Sequence, residues 1–267
     1  MDAGRLGKGR RLLQQHFLKS APKAGKWFVA LTLLFFCVSC AGTGPSKPAD
    51  LKAQTLLERL LEKNQEEITF RGTGRFGIME HGQGMSGRLL WMGITPDRLR
   101  VEMLTPFGQP IMSASSDGER VYAYDRSEGR FYTRSKGRGD VEKILGVSLS
   151  VSDMALLFSG RVPLFGRRAR MATGSGQTTQ LEIVDFWGNT RQSILFDEDF
   201  SRVLETTVYS SSNSPAWTAL LNHSRDKAMP DFRVHDTKGR EFYLDVEKFD
   251  AAAQVDPAGF ILQAPGR

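Results

Sequence analysis

The sequence predicts a mainly β protein with a few helices, in which about eleven antiparallel strands form one domain. Two observations support this prediction. Apolar and polar residues alternate with a period of two along most of the chain after residue 68, and short turn signals such as Asp117-Gly118 and Trp187-Gly188-Asn189 separate the alternating segments. Such spacing favours antiparallel hairpins over parallel βαβ units. A segment of about 200 residues can bury a substantial core as one domain.

The N-terminus has the pattern of a secretory signal. Seven basic residues and one acidic residue lie within positions 1–26, and an uncharged, mostly apolar run follows from Trp27 to Val38. This order matches the basic and apolar regions of a signal peptide. The apolar run of twelve residues is shorter than the roughly 20 that a transmembrane helix needs. The sequence therefore predicts export, with residues 1–39 as the signal peptide.

The end of this segment, Cys37-Val38-Ser39-Cys40-Ala41-Gly42, resembles a bacterial lipobox, although the usual pattern has Leu at the position of Cys37. Both cysteines of the chain lie here, so a mature protein that begins at Cys40 has no partner for a disulfide bond. Lipidation of Cys40 is the simplest use for that thiol, and several acyl chains make an anchor effectively permanent. The alternative is an ordinary signal peptide with a chance cysteine.

The charge distribution excludes the usual signature of a nucleic-acid-binding protein. The chain has a formal net charge of +6, but the first 26 residues contribute all of it, and the remainder holds 29 basic and 29 acidic residues. Because the basic segment is expected to be removed with the signal, the mature domain is neutral. A neutral domain lacks the basic patch that a nucleic-acid partner requires.

The mature chain divides into three parts. Residues 40–49 are rich in small residues, Gly and Pro, and are predicted to form a flexible tether. Residues 50–250 form the domain, which begins with an amphipathic helix over residues 50–67 that Asp50 can cap, and contains a second, short helix over residues 152–158. Residues 251–267 form a C-terminal tail, to which the sequence assigns no role.

The sequence contains no pattern that indicates an enzyme, a metal or a cofactor. The segment Gly72–Gly77 reads G-x-G-x-x-G, but it follows a predicted helix and precedes a strand, which reverses the order of a dinucleotide site. Its glycines are better explained by crowding in a curved sheet. His81, His223 and His235 are too scattered for a zinc site. The acidic run Asp197-Glu198-Asp199 is expected to be a solvated turn.

Three segments of the sequence are informative because of the order in which they follow each other along the chain. Residues 95–108 read T-P-D-R-L-R-V-E-M-L-T-P-F-G, residues 150–163 form a helical pattern that ends in Gly160-Arg161-Val162-Pro163, and residues 228–246 have the pattern of a hairpin after Pro230. The first segment resembles the D-R-Y-R-L-x-L strand and N-P-L-G turn of the outer-membrane lipoprotein receptor LolB and its relatives. The other two resemble that family's internal helix and final hairpin. With the predicted helix and lipobox, the resemblance covers most of residues 40–250.

The resemblance implies an incomplete, half-open antiparallel β-barrel, capped by helices, with an apolar cavity that receives acyl chains. In that family an exposed apolar residue of the N-P-L-G turn protrudes and helps to deliver lipoproteins into the outer membrane. By position this residue is Phe107, in a turn with Pro106 and Gly108, while Thr105 and Phe107 depart from the family's Asn and Leu. The alternative is that Phe107 folds back onto the sheet.

The period-two alternation assigns twelve residues to the inner, apolar face of such a half-barrel, where they are candidates for the cavity lining. They are Phe76, Leu90, Val101, Met103, Ile111, Tyr122, Tyr124, Phe131, Ile183, Ile194, Phe196 and Phe232. For each of them, a place in a closed core is the alternative interpretation.

The expected function is therefore that of a lipoprotein on the outer membrane, facing the periplasm. It would bind acyl chains of lipoproteins or lipids without a cofactor, and a periplasmic LolA-like carrier is a candidate partner. The competing hypothesis is a structural or protein-interaction lipoprotein on the same fold, without transfer activity. An unfilled apolar cavity would separate the two.

Replacement of Cys40 by Ala is expected to release the protein from the membrane, because a neutral domain has no other strong attraction to anionic lipids. Membrane fractionation followed by a salt wash measures this. If the variant stays with the membrane through the wash, the acyl anchor is not what holds the protein there.

Overall fold

The computed structural model describes residues 50–135, 149–173, 179–210 and 214–264. The predicted signal peptide, Cys40 and the predicted tether lie outside these residues. Every helix and strand described below belongs to the compact unit Pro48–Arg267.

The described residues form thirteen strands, two α-helices and a short 3-10 helix. The strands are β1 (Thr69–Glu80), β2 (Gln83–Ile94), β3 (Arg98–Leu104), β4 (Pro110–Asp117), β5 (Arg120–Asp125), β6 (Arg130–Ser135), β7 (Ala169–Thr173), β8 (Thr179–Val184), β9 (Thr190–Phe196), β10 (Val203–Tyr209), β11 (Pro215–Asn222), β12 (Asp231–Asp236) and β13 (Arg240–Asp250). The helices are α1 (Leu51–Gln65), α2 (Val151–Phe158) and the 3-10 helix Pro257–Phe260.

All thirteen strands belong to one antiparallel sheet, in the order β6-β5-β4-β3-β2-β1-β13-β12-β11-β10-β9-β8-β7. The sheet is not closed into a barrel, because β6 and β7 lie at its two edges and do not pair with each other. The predicted mainly β, half-open antiparallel fold is confirmed, with two strands more than the eleven expected.

The first and last strands join the two halves of the sheet. Strand β1 pairs with β2 on one side and with β13 on the other, from Arg71 opposite Asp250 to Glu80 opposite Arg240. The hairpins of the N-terminal half therefore extend from β1 to β6, and those of the C-terminal half extend from β13 to β7. The β1–β13 ladder is the only strand pairing between these two halves among the described residues.

Both helices begin at side-chain caps. At the start of α1, the Asp50 carboxylate accepts hydrogen bonds from the backbone N–H of Ala53 (3.2 Å) and from that of Met171 in β7 (2.7 Å), which ties the helix to the edge of the sheet. At the start of α2, Ser150 and Asp153 form a reciprocal capping box, with distances of 3.1 and 2.9 Å. Such caps satisfy backbone N–H groups that a helix leaves unpaired at its first turn.

The two helices cover one face of the sheet, which we call the inner face; the other is the outer face. Helix α1 buries Ala53 and Leu57 against strands β8 and β9. Helix α2 buries Phe158 at the centre of an aromatic cluster with Trp91, Phe232 and Phe242, whose ring centroids lie 5.5, 5.6 and 6.1 Å from that of Phe158. The Trp91 indole also donates a hydrogen bond to the carbonyl of Phe158 (3.2 Å).

Glycines in β1 and β2 make room for this inner face. A Cβ atom on Gly72 would collide with the ring of Trp91, and one on Gly93 would collide with the ring of Phe70. The segment Gly72–Gly77 lies wholly within β1. Its glycines therefore make room for close packing in the sheet, as the sequence predicted.

The C-terminal segment packs on the outer face. Arg100 of β3 donates a hydrogen bond to the Gly259 carbonyl (2.7 Å), and Ser115 of β4 donates one to the Phe260 carbonyl (2.8 Å). The Phe260 side chain is fully buried. Residues 251–264, within the tail to which the sequence assigned no role, are thus part of the folded domain.

Phe260→Ala is expected to lower the free energy of unfolding by about 3–5 kcal/mol, because it leaves a cavity under the C-terminal segment. Ile261→Ala is the matched control, since Ile261 is 53% exposed and surface changes cost less than about 0.5 kcal/mol. Urea denaturation of both variants measures the difference. Equal stabilities would contradict the packing of this segment.

Candidate functional site

Phe107 lies at the tip of the β3–β4 turn and is 93% exposed. The turn is closed by hydrogen bonds from the Gly108 N–H to the Thr105 carbonyl and from the Thr105 N–H to the Gln109 carbonyl, both 2.8 Å. The Thr105 hydroxyl accepts a third from the Gln109 N–H (3.1 Å). Gly108 has a φ of +83°, in the left-handed region that favours glycine. The closed turn holds the ring of Phe107 out in solvent.

The structure places seven of the predicted lining residues on the inner face, where all are buried. They are Phe76, Val101, Met103, Ile183, Ile194, Phe196 and Phe232. Four of them pack in the cluster beneath α2 and the other three in the cluster beneath α1. Ile111 lies beside a β-bulge between β3 and β4 and is half-buried against the first cluster. In this structure these side chains form a filled core.

The inner-face prediction is wrong for Leu90, Tyr122, Tyr124 and Phe131. The cross-strand register pairs Leu90 with Glu102 and Tyr122 with Ser115, whereas Val101 pairs with Trp91 and Ala114. Directly paired residues share one face of a sheet, so the four residues lie on the outer face. The alternation failed here because apolar residues stand next to each other, as in Leu89-Leu90 and Val121-Tyr122, and a shift of one residue reverses the face.

A cavity of about 520 Å³ lies on the outer face, above β13, β1, β2 and β3. Leu90 and Met92 form part of its apolar floor, and charged side chains surround them. Two ion pairs are part of this lining, Arg71 with Asp250 (3.4 Å) and Arg100 with Glu102 (2.6 Å). This cavity lies on the opposite face of the sheet from the inner-face cavity that the sequence predicted.

A second turn with exposed aromatic residues joins β8 and β9. Phe186 is 74% exposed and Trp187 is 83% exposed. The turn repeats the pattern of the Phe107 turn: the Gly188 N–H donates to the Asp185 carbonyl (3.1 Å), the Asp185 N–H donates to the Asn189 carbonyl (3.0 Å), and Gly188 has a φ of +85°. The sequence predicted only a turn for this segment. In both five-residue turns an aromatic residue stands directly before Gly. This shared pattern could have identified the second exposed aromatic turn from the sequence.

The Asp185 carboxylate organises this second turn. It accepts hydrogen bonds from the backbone N–H groups of Trp187 and Asn189, both at 2.9 Å, and from the Asn189 side chain at 3.2 Å. Desolvation raises the pKa of Asp185, but these hydrogen bonds and the charge of Arg191 outweigh it and hold the pKa below its ordinary value. The carboxylate is therefore charged at neutral pH, where it keeps the turn in one conformation.

Both aromatic turns lie at the same end of the sheet. Strands β3 and β8 are eight positions apart in an antiparallel order, so they run in the same direction. The turn that follows each of them therefore leaves the sheet at one end, which we call the aromatic end. Phe107 and the Phe186-Trp187 pair project there from the two halves of the sheet.

The described part of the chain lacks two other kinds of site. Its residues contain no group of three or more His, Cys, Asp or Glu side chains that could hold a metal ion. None of its helices has both the length and the apolar composition needed to cross a membrane.

Residues 68–195 match the family described as outer membrane lipoprotein LolB. The chain is therefore LolB-like, and the resemblance inferred from its sequence motifs is confirmed. A search of curated protein sequences found no match.

Solved structures share the fold at low sequence identity. A LolA superfamily protein from Nitrosomonas europaea has a TM-score of 0.53 at 13% identity, over 79% of this chain and 97% of that one. A putative outer membrane lipoprotein-sorting protein domain from Vibrio parahaemolyticus has a TM-score of 0.51 at 12% identity, with the same shares. A DUF1329 family protein from Desulfovibrio piger has a TM-score of 0.50 at 11% identity, over 80% and 98%. These similarities concern the fold.

Proposed function

We propose that this protein is a lipoprotein of the outer membrane, anchored through Cys40 and facing the periplasm, that binds acyl chains of lipoproteins or lipids and delivers them to the membrane. A LolA-like carrier supplies the cargo, and no enzymatic step or cofactor takes part. The LolB-like sequence over residues 68–195 and the LolA-like fold support this proposal.

The exposure of Phe107 is the observation that most directly supports the proposal. An aromatic side chain that is 93% exposed adds little to the stability of the fold. The same side chain gains about 1.5–3 kcal/mol when an apolar environment buries it completely. Phe107 also occupies the position of the protruding apolar residue in the family's N-P-L-G turn. A protein that must touch a membrane while it releases an acyl chain has a use for such a residue.

The inner face is the proposed acyl-binding surface. Helix α2 has eight residues, of which six are buried, and it covers aromatic residues of the sheet such as Trp91 and Phe232. An acyl chain that displaces this helix replaces one apolar surface with another, so the sheet side chains stay out of water. In this mechanism α2 occupies the site when no acyl chain is bound and moves aside when one enters.

The filled core favours a second candidate, an envelope lipoprotein of structural or protein-interaction function without transfer activity. Phe76 of the sheet and Phe158 of α2 are both fully buried in the same cluster. A core that stays closed would leave no room for an acyl chain. The two candidates therefore differ in whether α2 can leave the inner face.

Quenching of tryptophan fluorescence by a brominated fatty acid tests acyl binding. Trp91 and Trp217 are buried, at 3% and 4% exposure, whereas Trp187 is exposed. The unit Pro48–Arg267 with Trp187→Phe therefore reports on the inner face alone. We expect saturable quenching by the brominated acid and none by the unbrominated one. Absence of quenching at all concentrations would favour the closed-core candidate.

Phe107→Glu is expected to weaken binding of the same unit to vesicles that contain anionic lipid by about tenfold or more. The substitution removes the roughly 1.5–3 kcal/mol gained when the ring is buried in lipid, and about 1.4 kcal/mol corresponds to a factor of ten in affinity. The melting temperature should stay within a few degrees of wild type, since the side chain is exposed. Phe107→Leu, which restores the residue type of the family turn, is the control and should retain binding. A large fall in melting temperature for Phe107→Glu would contradict the protruding position.

A further inference from the structure

We propose that the β8–β9 turn is a second contact with a lipid surface that carries anionic headgroups, made by Phe186 and Trp187 together with Arg167 and Arg168. This inference deepens the proposed function, since it assumes that the aromatic end of the sheet faces the membrane. The residues of this second contact lie outside the β3–β4 turn, which is the turn that the family resemblance identified.

The two rings are exposed at the tip of the turn, where they pack on each other and Phe186 packs on Arg168. Phe186 and Trp187 meet edge to face, with centroids 5.4 Å apart and an interplanar angle of 89°. Their exposed apolar area adds nothing to the core of the domain. The indole ring combines an apolar body with one N–H donor, which is why Trp is enriched at the headgroup level of membranes.

The turn presents these rings in a fixed position. Asp185 accepts the N–H groups of Trp187 and Asn189, and its other oxygen lies 3.3 Å from Nε of Arg191. A ligand-contacting segment that is already ordered loses little conformational entropy when it binds. The Asp185 network therefore preorganises the tip for contact with a surface.

The charges beside the turn favour an anionic surface. The Arg168 guanidinium lies 5.1 Å from the centroid of the Phe186 ring, and Arg167 is the exposed neighbour of Arg168. Two acids beside the turn are paired, Asp185 with Arg191 and Glu182 with Arg170, the latter at 2.7 Å. The guanidinium group is planar and can donate two parallel hydrogen bonds to a phosphate. Arginines next to an aromatic tip can therefore bind lipid phosphates while the rings enter the interface.

The position of the second turn allows it to orient the domain on the membrane. Phe107 follows β3 in the N-terminal half of the sheet, and Trp187 follows β8 in the C-terminal half, eight strands away at the same end. One contact would let the domain pivot on the membrane. Two separated contacts restrict the rotation of the domain to the line that joins them and direct the aromatic end of the sheet towards the surface.

The test uses the emission of Trp187 in the unit Pro48–Arg267, taken as the difference between wild type and Trp187→Phe. With vesicles of phosphatidylcholine and phosphatidylglycerol, we expect this emission to shift to shorter wavelength and to be quenched by lipids brominated on their acyl chains. Trp187→Ser is expected to weaken vesicle binding about tenfold. Ile261→Ser, which changes an exposed apolar residue on the C-terminal segment, should leave binding unchanged.

A second comparison tests whether Arg167 and Arg168 contribute to binding of anionic lipid. Arg167→Gln combined with Arg168→Gln should abolish most of the preference for vesicles with phosphatidylglycerol over pure phosphatidylcholine, whereas Arg225→Gln, in the β11–β12 turn at the opposite end of the sheet, should not. Unquenched Trp187 emission together with a binding loss in Phe107→Glu would overturn the second contact and leave the proposed function standing. Quenched Trp187 with full binding by Phe107→Glu would support the second contact and contradict the role of Phe107.

Discussion

The pairing of β1 with β13 is the constraint on which the rest of the structure depends. Without that ladder the chain would form two separate meanders, one from β1 to β6 and one from β7 to β13. The aromatic cluster around Phe158 draws on both halves, with Trp91 from β2 and Phe232 and Phe242 from β12 and β13. The glycines at positions 72 and 74 let β1 approach Trp91 on one side and Asp245 on the other. One ladder thus brings together the core, the inner face and the shared aromatic end.

The elements with strong local signals could be predicted from the sequence. Asp50 caps α1 as predicted, α2 forms where a short helix was predicted, and strands with regular alternation, such as β3, follow the pattern. Strand β4 carries little such signal, since Ser113 and Ser115 are buried and satisfied by long-range partners, Glu102 at 2.8 Å and the Phe260 carbonyl at 2.8 Å. Strand β11 follows a serine-rich segment, and its apolar residues do not alternate. Their strand state depends on contacts that no local pattern contains.

In the candidate site, too, features with a local sequence signal could be predicted and features that depend on long-range contacts could not. The turn at Phe107 could be recognised because Pro106 and Gly108 mark it locally and a family motif gives it a role. Trp187 could not be connected to it, because the two turns share an end of the sheet only through a strand order that is set by the β1–β13 ladder. The wrong faces of Leu90 and Tyr122 have a related cause. Where two apolar residues are adjacent, the phase of a strand is decided by its neighbours in the sheet.

The same ladder dictates when the domain can become complete. A ribosome makes β1 about 160 residues before β13, so the nascent chain carries β1 with one unpaired edge until β13 has been made. Unpaired strand edges are templates for aggregation, and sheets built from distant segments fold slowly. A chain shortened before residue 240 would keep that edge open permanently instead of forming a smaller domain. The edge of β1 that pairs with β13 is therefore open to aggregation until the β12–β13 hairpin has been made.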